Sequence, residues 1–490
     1  MKQSIYLQIL NNIKNGMLDG SFCIDEDQGD DQAISWAPGA RDGVAIYHTV
    51  PDAMDELQKE KMIEALKSTL SSDNRKTDEL FYEWTKTKRA VEVIDDLEGY
   101  VIDHEKDFDL DKLYRSAVYL IMNSRHIECV KIGLELTEIV ITNNEMVKQA
   151  IRNLGLYDEF TIFAAFNMRR WKNGNEELFE LARKVHGWGR IHCVELLEPD
   201  SEKIRHWLLT EGTVNDVMNA YSSLTCWNKA KAQEVLYNTP TYEEYDGLSL
   251  LIEGLVDEGP VSGMSAIDKP EEVLDRFLEI SKMYDLSVKN YDVILSIRDY
   301  SEENGYQDSV EKCDLILHSR DCQAKIKEAL KKGNALRLAD VLNIPAGEDL
   351  YRCLEEDFAS HYRKCLYLMN DEGYVDKTIE LFTNRLLCED GENSFGSKDD
   401  FMRNDQLQLI LQSLSSYPLK GIELIKAGLN STNTRNRYLA LSVLKAWCEN
   451  RKEPLDELSG ELYEIIGKMK DNESDEASIK LLAELTDMRF

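Results

Sequence analysis

The apolar positions of two segments, one near the middle of the chain and one near its C-terminus, follow the same helical spacing. Counting from Arg190, apolar residues fall three, four, six and seven positions later, at Cys193, Val194, Leu196 and Leu197. Counting from Arg437, the same offsets give Ala440, Leu441, Val443 and Leu444. An arginine at the solvent edge followed by this spacing is typical of the inner helix of a stacked helical hairpin. The spacing therefore predicts a helical-repeat protein, and it indicates no particular reaction.

Helical patterns continue through most of the chain. From about residue 107 onward, segments with one apolar face alternate with short turns. Asn143 and Asn144 predict the start of a helix that ends at Gly155. Residues 324–342 predict a helical hairpin, and Pro270 suits the first turn of another helix. With roughly 40 residues per hairpin, about nine or ten hairpins fit into residues 107–490. The sequence predicts an all-α fold, a right-handed α-α superhelix of the HEAT or armadillo kind.

The first part of the chain is predicted to differ from this solenoid. Residues 1–50 are expected to form an irregular arm with an acidic loop and a short strand at 44–48, where β-branched and aromatic residues cluster. Residues 51–106 are expected to form a helical lead-in, and residues 107–490 the solenoid.

Two longer irregular stretches interrupt the predicted solenoid, at 257–270 and 389–400. Each is either a hinge between two sub-arrays or a loop at the edge of a single array, and we favour loops.

Charge and cysteine content narrow the class of protein. Lysine and arginine number 58 against 91 aspartate and glutamate, which gives a net charge of −33. Such a charge repels phosphate backbones and attracts basic groups, so a nucleic-acid partner is disfavoured and a basic protein or peptide is favoured. The ten cysteines contain no C-x-x-C pair and predict reduced thiols. With no signal peptide and no membrane span, the sequence predicts a cytoplasmic protein.

Three tryptophans recur at intervals of about one helix, at Trp188, Trp207 and Trp227. They either line a groove that holds a peptide or a small apolar ligand, or fill the core between stacked helices, and we favour the core. Gly187 and Gly189 flank the first of them and allow the backbone to approach a ligand or a neighbouring helix closely.

Potential metal ligands are densest in the same region, at His186, His192, Glu195 and His206. Because the apolar residues of this helix must point inward, His192 and Glu195 are expected toward the edge or solvent. The region has no H-E-x-x-H motif and no closely spaced Cys/His quartet. We therefore predict no metal and no cofactor.

The N-terminal arm offers a second set of polar residues, Trp36, Arg41, Asp42 and His48. They suggest either an acid–base or phosphate-binding group, or an arm that folds over the first hairpins with Arg41 and Asp42 in local ion pairs. No nucleotide-binding or hydrolase motif accompanies them, so we favour the arm. The acidic residues at 25–31 lack the spacing of a calcium loop and predict a solvated loop.

Several segments of the sequence resemble known protein families. Residues 434–447, TRNRYLALSVLKAW, resemble the second helix of HEAT and armadillo repeats. GWGRIHCVELLE, IRHWLLTEG and EGPVSGM resemble a family of bacterial proteins often labelled limonene hydroxylase, and APGARDGVAIYH extends that resemblance. The second resemblance implies monoterpene hydroxylation, a reaction that needs haem, flavin or non-haem iron. None of the ten cysteines lies in the Gly-rich setting of a haem-thiolate ligand, so the residues do not support the label.

Three functions are open at this point. We favour a non-catalytic interaction protein whose solenoid groove holds a protein or peptide partner. The alternatives are an enzyme acting on a small apolar substrate, which rests on the resemblance alone, and a helical-repeat nucleic-acid-binding protein, which the charge disfavours. No catalytic residue is predicted. The residues predicted to bind the ligand or partner are Trp188, Arg190, His192, Trp207, Glu211, Arg41 and Asp42.

Overall fold

The computed structural model describes residues 3–24, 36–50, 52–71, 73–140, 143–387, 401–470 and 472–490. Helices dominate these ranges, and within them strands occur only in a small antiparallel hairpin of β1 (Ile13–Lys14) and β2 (Met17–Leu18). The predicted all-α fold is confirmed, with helices packed in series as in an α-solenoid. The predicted acidic loop at 25–31 and the predicted loop at 389–400 lie outside the described residues.

Contacts divide the chain into two compact units. Unit 1 comprises Met1–Leu286 with Val293–Asp314, and unit 2 comprises Ser287–Asp292 with Leu315–Phe490. The predicted segment boundaries at residues 50 and 106 stay predictions. None of the described helices is long and apolar enough to cross a bilayer.

The helices of unit 1 form a continuous succession. They are α1 (Ile5–Asn11), α2 (Ala40–His48), α3 (Glu56–Ser68), α4 (Asn74–Thr85), α5 (Ala90–Asp103), α6 (Leu110–Asn123), α7 (Ile127–Val140), α8 (Glu145–Gly155), α9 (Asp158–Arg169), α10 (Gly174–Ala182), α11 (Trp188–Leu196), α12 (Glu202–Thr210), α13 (Ala220–Lys229), α14 (Ala232–Tyr237), α15 (Tyr242–Val256) and α16 (Pro270–Ser281). Two further helices contribute residues to both units, α17 (Val288–Asn304) and α18 (Gln307–Leu317).

Unit 2 also consists of a series of helices. Its helices are α19 (Arg320–Leu330), α20 (Leu336–Val341), α21 (Gly347–Glu356), α22 (Phe358–His361), α23 (Cys365–Leu368), α24 (Val375–Leu387), α25 (Phe401–Ser413), α26 (Ile422–Leu429), α27 (Thr434–Arg451), α28 (Leu455–Leu458), α29 (Gly460–Met469) and α30 (Glu476–Asp487). Short 3-10 helices lie at Glu105–Asp107, Met264–Ala266, Tyr362–Lys364 and Leu414–Ser416.

Local sequence signals set many of these boundaries. The Asn144 side chain accepts a hydrogen bond from the Met146 amide at 3.0 Å and caps α8, which ends at Gly155 as predicted. Pro270 is the first residue of α16. The predicted hairpin at 324–342 is confirmed, since α19 and α20 flank Gly333, whose φ of +72° favours glycine.

The strand predicted at Val44–His48 is wrong, because these residues form the second half of α2. Val44 and Ile46 favour a strand locally, but in α2 the buried Ala40 and Gly43, three residues apart, pack on Trp188 of α11, and Asp42 pairs with Lys131 of α7. The hairpin at β1 and β2 was not predicted. Its turn is Asn15-Gly16, both with positive φ, which is the strongest short hairpin signal in a sequence.

The repeated apolar spacing is confirmed in both helices that carry it. Ala440, Leu441, Val443 and Leu444 are buried in α27. In α11, Cys193 and Val194 are buried and Leu196 is half-buried, and Leu197, directly after the helix, is buried. The arginine at the start of the spacing is half-buried at Arg437 but only 5% exposed at Arg190, so the predicted solvent edge is wrong for α11.

Candidate functional site

The candidate site of unit 1 is built where α2 packs directly on α11. A Cβ atom at Gly43 would lie 2.2 Å from Cε3 of Trp188, so only glycine permits this approach. Gly39, with a φ of +73°, precedes α2, and a Cβ atom there would lie 2.8 Å from the carbonyl oxygen of Asp158. Helix α2 is therefore packed against Trp188 and the start of α9.

Aromatic side chains surround this contact. The Tyr47 ring lies 5.9 Å from that of Trp188 and 6.2 Å from that of His192. Tyr221, at the start of α13, lies 4.9 Å from Trp188 and hydrogen-bonds through its hydroxyl to Nε2 of His48 at 2.6 Å. Burial, then Glu195 and Tyr221, raise the pKa of Tyr47 to about 12, so its hydroxyl stays protonated.

Beneath α2 lies a buried ion cluster centred on Lys131 of α7. The Lys131 side chain is 0% exposed, and its Nζ donates to Asp42 Oδ2 at 2.6 Å, Glu159 Oε1 at 2.6 Å and Glu128 Oε1 at 3.0 Å. Burial opposes the charge of Lys131, but the three carboxylates outweigh it and raise its pKa. The cluster joins α2, α7 and α9 through one ammonium group.

Arg89 supplies the second cation of the same cluster. Its Nε donates to Asp42 Oδ1 at 2.7 Å, and its Nη2 donates to Glu159 Oε1 at 3.0 Å. The Gly39 amide donates to Glu159 Oε2 at 2.6 Å, and the Ala90 amide donates to Glu128 Oε2 at 2.7 Å. Every carboxylate oxygen of the cluster thus has a donor, which is what buried ions require.

Glu159 shows how strongly the cluster favours ionised carboxylates. Burial disfavours its charge, but Lys131 above all, with the Gly39 amide and Arg89, lowers the pKa of Glu159 to about 2. The three carboxylates of Asp42, Glu128 and Glu159 also converge closely enough to suggest a metal site. A metal ion does not fit there, because the Lys131 ammonium group already lies at bonding distance from all three. The cluster anchors α2 instead.

Asp158, next to Glu159 in sequence, has a different environment. Its carboxylate accepts hydrogen bonds from the amides of Gly187 and Gly189, which begin α11, yet burial raises its pKa to about 6. A Cβ atom at Gly187 would lie 2.2 Å from Asp158 Oδ2. The two glycines therefore allow a close approach to the neighbouring helix α9, one of the two alternatives that the sequence left open.

The structure brings Trp188, His192 and Asp42 together around α2. His192, expected toward the edge, is only 4% exposed, and burial lowers its pKa to about 4. The expectation is wrong because Tyr47 of α2 covers the face of α11 that carries His192. The other potential metal ligands do not join it, since His186, Glu195 and His206 are exposed and His206 lies beside Glu243 at 3.4 Å.

Arg190, Trp207 and Glu211 form a second group. The Arg190 guanidinium lies 4.9 Å from the Trp207 ring centroid and donates to the Glu211 carbonyl oxygen at 2.8 Å. Burial lowers the pKa of Arg190, and its Nε has no hydrogen-bond partner among the described residues. Trp207 is 5% exposed and Glu211 is exposed.

The remaining predicted residues are separate from both groups. Arg41 is exposed and lies 5.9 Å from the ring of the exposed Trp36. The predicted local ion pair of Asp42 is wrong, because its partners are Arg89, which lies just before α5, and Lys131, which lies on α7. All three tryptophans are buried, as the favoured interpretation required, with Trp227 2% exposed.

Sequence reasoning missed an exposed apolar loop between α12 and α13. Val214 is 43% exposed, and Val217 and Met218 are each 38% exposed. The Asn215 side chain accepts from the amides of Val217 and Met218 at 3.0 Å and 2.8 Å and donates to the Thr213 and Met218 carbonyls. The signal was the phrase TVNDVMN, in which three large apolar residues interrupt a polar turn.

This loop adjoins the exposed end of α2. Tyr221 follows the loop, and its ring centroid lies 5.3 Å from that of Tyr47. Ile46, which precedes Tyr47 in α2, is 41% exposed. We call Ile46, Val214, Val217, Met218 and Tyr221 the apolar surface of unit 1. Three exposed acidic residues are close to it: Asp216 lies within the loop, the Glu211 carbonyl oxygen accepts from the Val214 amide at 3.1 Å, and Glu195 acts electrostatically on Tyr47.

No protein-family model matches this sequence, and neither a curated protein nor a solved structure shows significant similarity to it. The resemblances to HEAT and armadillo repeats and to the family labelled limonene hydroxylase therefore stay predictions.

Proposed function

We propose that this protein is a non-catalytic interaction protein that binds a protein or peptide partner at the apolar surface of unit 1. The observation that carries the proposal is the loop of Val214, Val217 and Met218, which exposes three apolar side chains on a backbone held by hydrogen bonds. Ordered apolar patches on a surface mark interaction sites, and a rigid loop loses little conformational entropy on binding.

Charge indicates the chemistry of the partner. The apolar surface lies among Glu195, Glu211 and Asp216, on a chain whose net charge is −33. A segment with apolar anchors flanked by lysine or arginine complements this surface, and electrostatic attraction speeds its association. Among the residues predicted from the sequence to bind the partner, Glu211 is exposed and lies next to the loop, so a partner can contact it directly.

The buried residues serve this proposal indirectly. Trp188, His192 and Asp42 hold α2 in place, and α2 supplies Ile46 and contacts Tyr221. In this account they support the surface instead of touching the partner.

The repeat type and the compartment are further proposals. We infer that the helical hairpins are HEAT-like or armadillo-like, because α27 keeps the predicted buried offsets. The described cysteines are free thiols, and all but Cys23 are buried, which supports a reducing compartment such as the cytoplasm. No contact in the described residues adds support to the limonene hydroxylase label.

A matched pair of variants tests the proposal. Met218→Asp places a charge in the apolar surface, whereas Met283→Asp makes the same change at a 62% exposed methionine elsewhere in unit 1. In cross-linking of the full chain in lysate, read by mass spectrometry, the wild type and Met283→Asp should capture the same partner and Met218→Asp should lose it. Equal capture by all three proteins, or no partner for the wild type, would contradict the proposal.

A further inference from the structure

The face of α11 that α2 covers also carries an exposed carboxylate, that of Glu195. Trp188, His192 and Glu195 fall at positions i, i+4 and i+7 of α11, so they share one helical face. The Tyr47 ring of α2 lies 5.9 Å from that of Trp188 and 6.2 Å from that of His192. Glu195, three residues beyond His192, is about 4.5 Å further along the helix axis and stays exposed. The carboxylate therefore follows directly after the part of this face that Tyr47 covers.

The neighbouring helix α13 contacts the same face of α11 in the same order. Tyr221 and Thr225 lie one turn apart on α13. The Tyr221 ring lies 4.9 Å from that of Trp188, and the Thr225 hydroxyl donates to Glu195 Oε2 at 2.7 Å. Two independent registers, one from α2 and one from α13, thus place Glu195 just beyond the point where Tyr47 and Tyr221 meet.

The two tyrosines form an aromatic corner beside this carboxylate. The ring centroids of Tyr47 and Tyr221 lie 5.3 Å apart, with the ring planes at 65° to each other, and both residues are half-buried. The face of a tyrosine ring attracts cations. After burial, the charge of Glu195 is the largest cause that raises the pKa of Tyr47, in agreement with a short separation between the carboxylate and this phenol.

The Glu195 carboxylate has no cation of its own. Within the described part of the chain, no basic side chain lies within ion-pair distance of it, and its hydrogen-bond donor is the Thr225 hydroxyl. Lys229 lies one turn beyond Thr225, but its Nζ donates to three backbone carbonyl oxygens at the end of α11, at 2.6, 2.8 and 3.2 Å. An ammonium group has three N–H donors, so those of Lys229 are used by the backbone. The carboxylate keeps acceptor capacity for a group from outside the chain.

We propose that Glu195, together with the rings of Tyr47 and Tyr221, binds the guanidinium group of an arginine side chain of the partner. The inference rests on the proposed function and names one residue of that partner. A guanidinium group is planar, so it lies flat on an aromatic ring and pairs with a carboxylate at its edge, whereas the ammonium group of lysine is a compact point charge. Because Tyr221 also belongs to the apolar surface of unit 1, we expect the arginine directly beside the apolar anchors of the partner.

Panning a random peptide library on the immobilised full chain tests this site without a known partner. For the tightest selected peptide, fluorescence anisotropy measures Kd for the arginine form and for a form with citrulline, a neutral group of similar shape, in place of the arginine. Glu195→Gln removes the charge of the site, and Glu271→Gln removes one at an exposed position of α16 in the same unit. Circular dichroism of each variant checks that it is folded.

The peptides that the wild type selects should be enriched in an arginine beside apolar residues. The wild type and Glu271→Gln should bind the arginine peptide at least about fivefold more tightly than the citrulline peptide, and Glu195→Gln should bind the two within about twofold of each other. Selected peptides without enriched arginine, equal binding of both peptides by the wild type, or an unchanged arginine preference in Glu195→Gln would overturn the site.

The Met218→Asp variant separates failure of this site from failure of the proposed function. If Met218→Asp loses both peptides while the arginine preference is absent, the apolar surface stands and the arginine site alone is overturned. If no peptide is enriched, or if Met218→Asp binds the peptides as the wild type does, the proposed function and the arginine site are both overturned.

Discussion

Helices α11 and α27 share one apolar spacing but place its first arginine in opposite environments. Arg190 of α11 is buried, stacked on Trp207 and without a carboxylate partner in hydrogen-bond contact. Arg437 of α27 is half-buried and forms a two-pronged ion pair with Glu473, at 2.6 Å and 2.8 Å. The spacing determines which face of each helix is buried. Which polar residues become buried depends on the segments that cover the remaining faces.

The second position after each arginine shows the same contrast. In α11 it is His192, which α2 covers, and in α27 it is Leu439, which is half-buried. The extra cover in unit 1 comes from α2, and the Asp42 cluster fixes α2 in place. Unit 1 therefore buries ionisable groups around α2, whereas Arg437 of α27 stays partly exposed and pairs with the buried carboxylate of Glu473.

The largest effect is expected from Lys131→Met. The substitution leaves the carboxylates of the buried Asp42 and of the half-buried Glu128 and Glu159 with Arg89 as the remaining cation of the cluster. The free energy of unfolding should therefore fall by about 3–5 kcal/mol. Urea denaturation followed by circular dichroism measures this loss. Lys59→Met, which removes an exposed pair with Glu56, is the control and should cost less than about 0.5 kcal/mol. Similar losses for the two variants would refute the buried cluster.

His192→Leu gives α11 the residue type that α27 has at this position, and its effect depends on pH. The folded pKa of His192 is lowered from 6.5 to about 4, so the neutral form stabilises the fold above pH 6.5. That contribution is lost as pH falls through the window from 6.5 to 4, by about 3 kcal/mol in total.

As pH falls from 6.5 to 4, the unfolding free energy of His192→Leu should therefore rise relative to that of the wild type. Taking the difference between the two proteins cancels the opposite contribution of Asp158, whose raised pKa stabilises the fold as pH falls. A difference that stays constant from pH 7 to pH 4 would show that His192 is solvated.

The two arginines themselves give the smallest effects and the most direct comparison. Arg437→Met should cost about 2 kcal/mol at pH 7, because it removes charge-assisted hydrogen bonds to the buried Glu473 carboxylate. Arg190→Met should cost less than about 1 kcal/mol, because methionine still packs on Trp207 and no carboxylate loses its partner.

The pH dependence of the Arg437→Met effect sharpens the same comparison. Arg437 lowers the pKa of Glu473 to about 2, so the pair stabilises the fold above about pH 4.5 and loses that contribution as pH falls toward 2. The cost of Arg437→Met should shrink over this range, and the cost of Arg190→Met should not. Equal costs for the two variants at pH 7 would remove the distinction.

Much of the fold follows from local sequence, and much of the site does not. Helix boundaries at Asn144, Gly155 and Pro270 were predictable because capping and turn chemistry act within a few residues. The burial of His192 and Arg190 was not, since it depends on α2 and on α12, whose packing leaves no local pattern. Gly187 and Gly189 were visible in the sequence as sites of close backbone approach, but nothing nearby identifies Asp158 as their neighbour.

Amide hydrogen exchange of residues 40–48 tests most directly the central claim that α2 is docked in unit 1 by the Asp42 cluster. In the wild type these amides should be protected, and Asp42→Asn should accelerate their exchange while the amides of α7 keep their protection. Asp52→Asn, at an exposed aspartate just beyond α2, should change neither. Wild-type exchange at the rate of an unstructured peptide, or equal protection of 40–48 in Asp42→Asn and wild type, would contradict the claim.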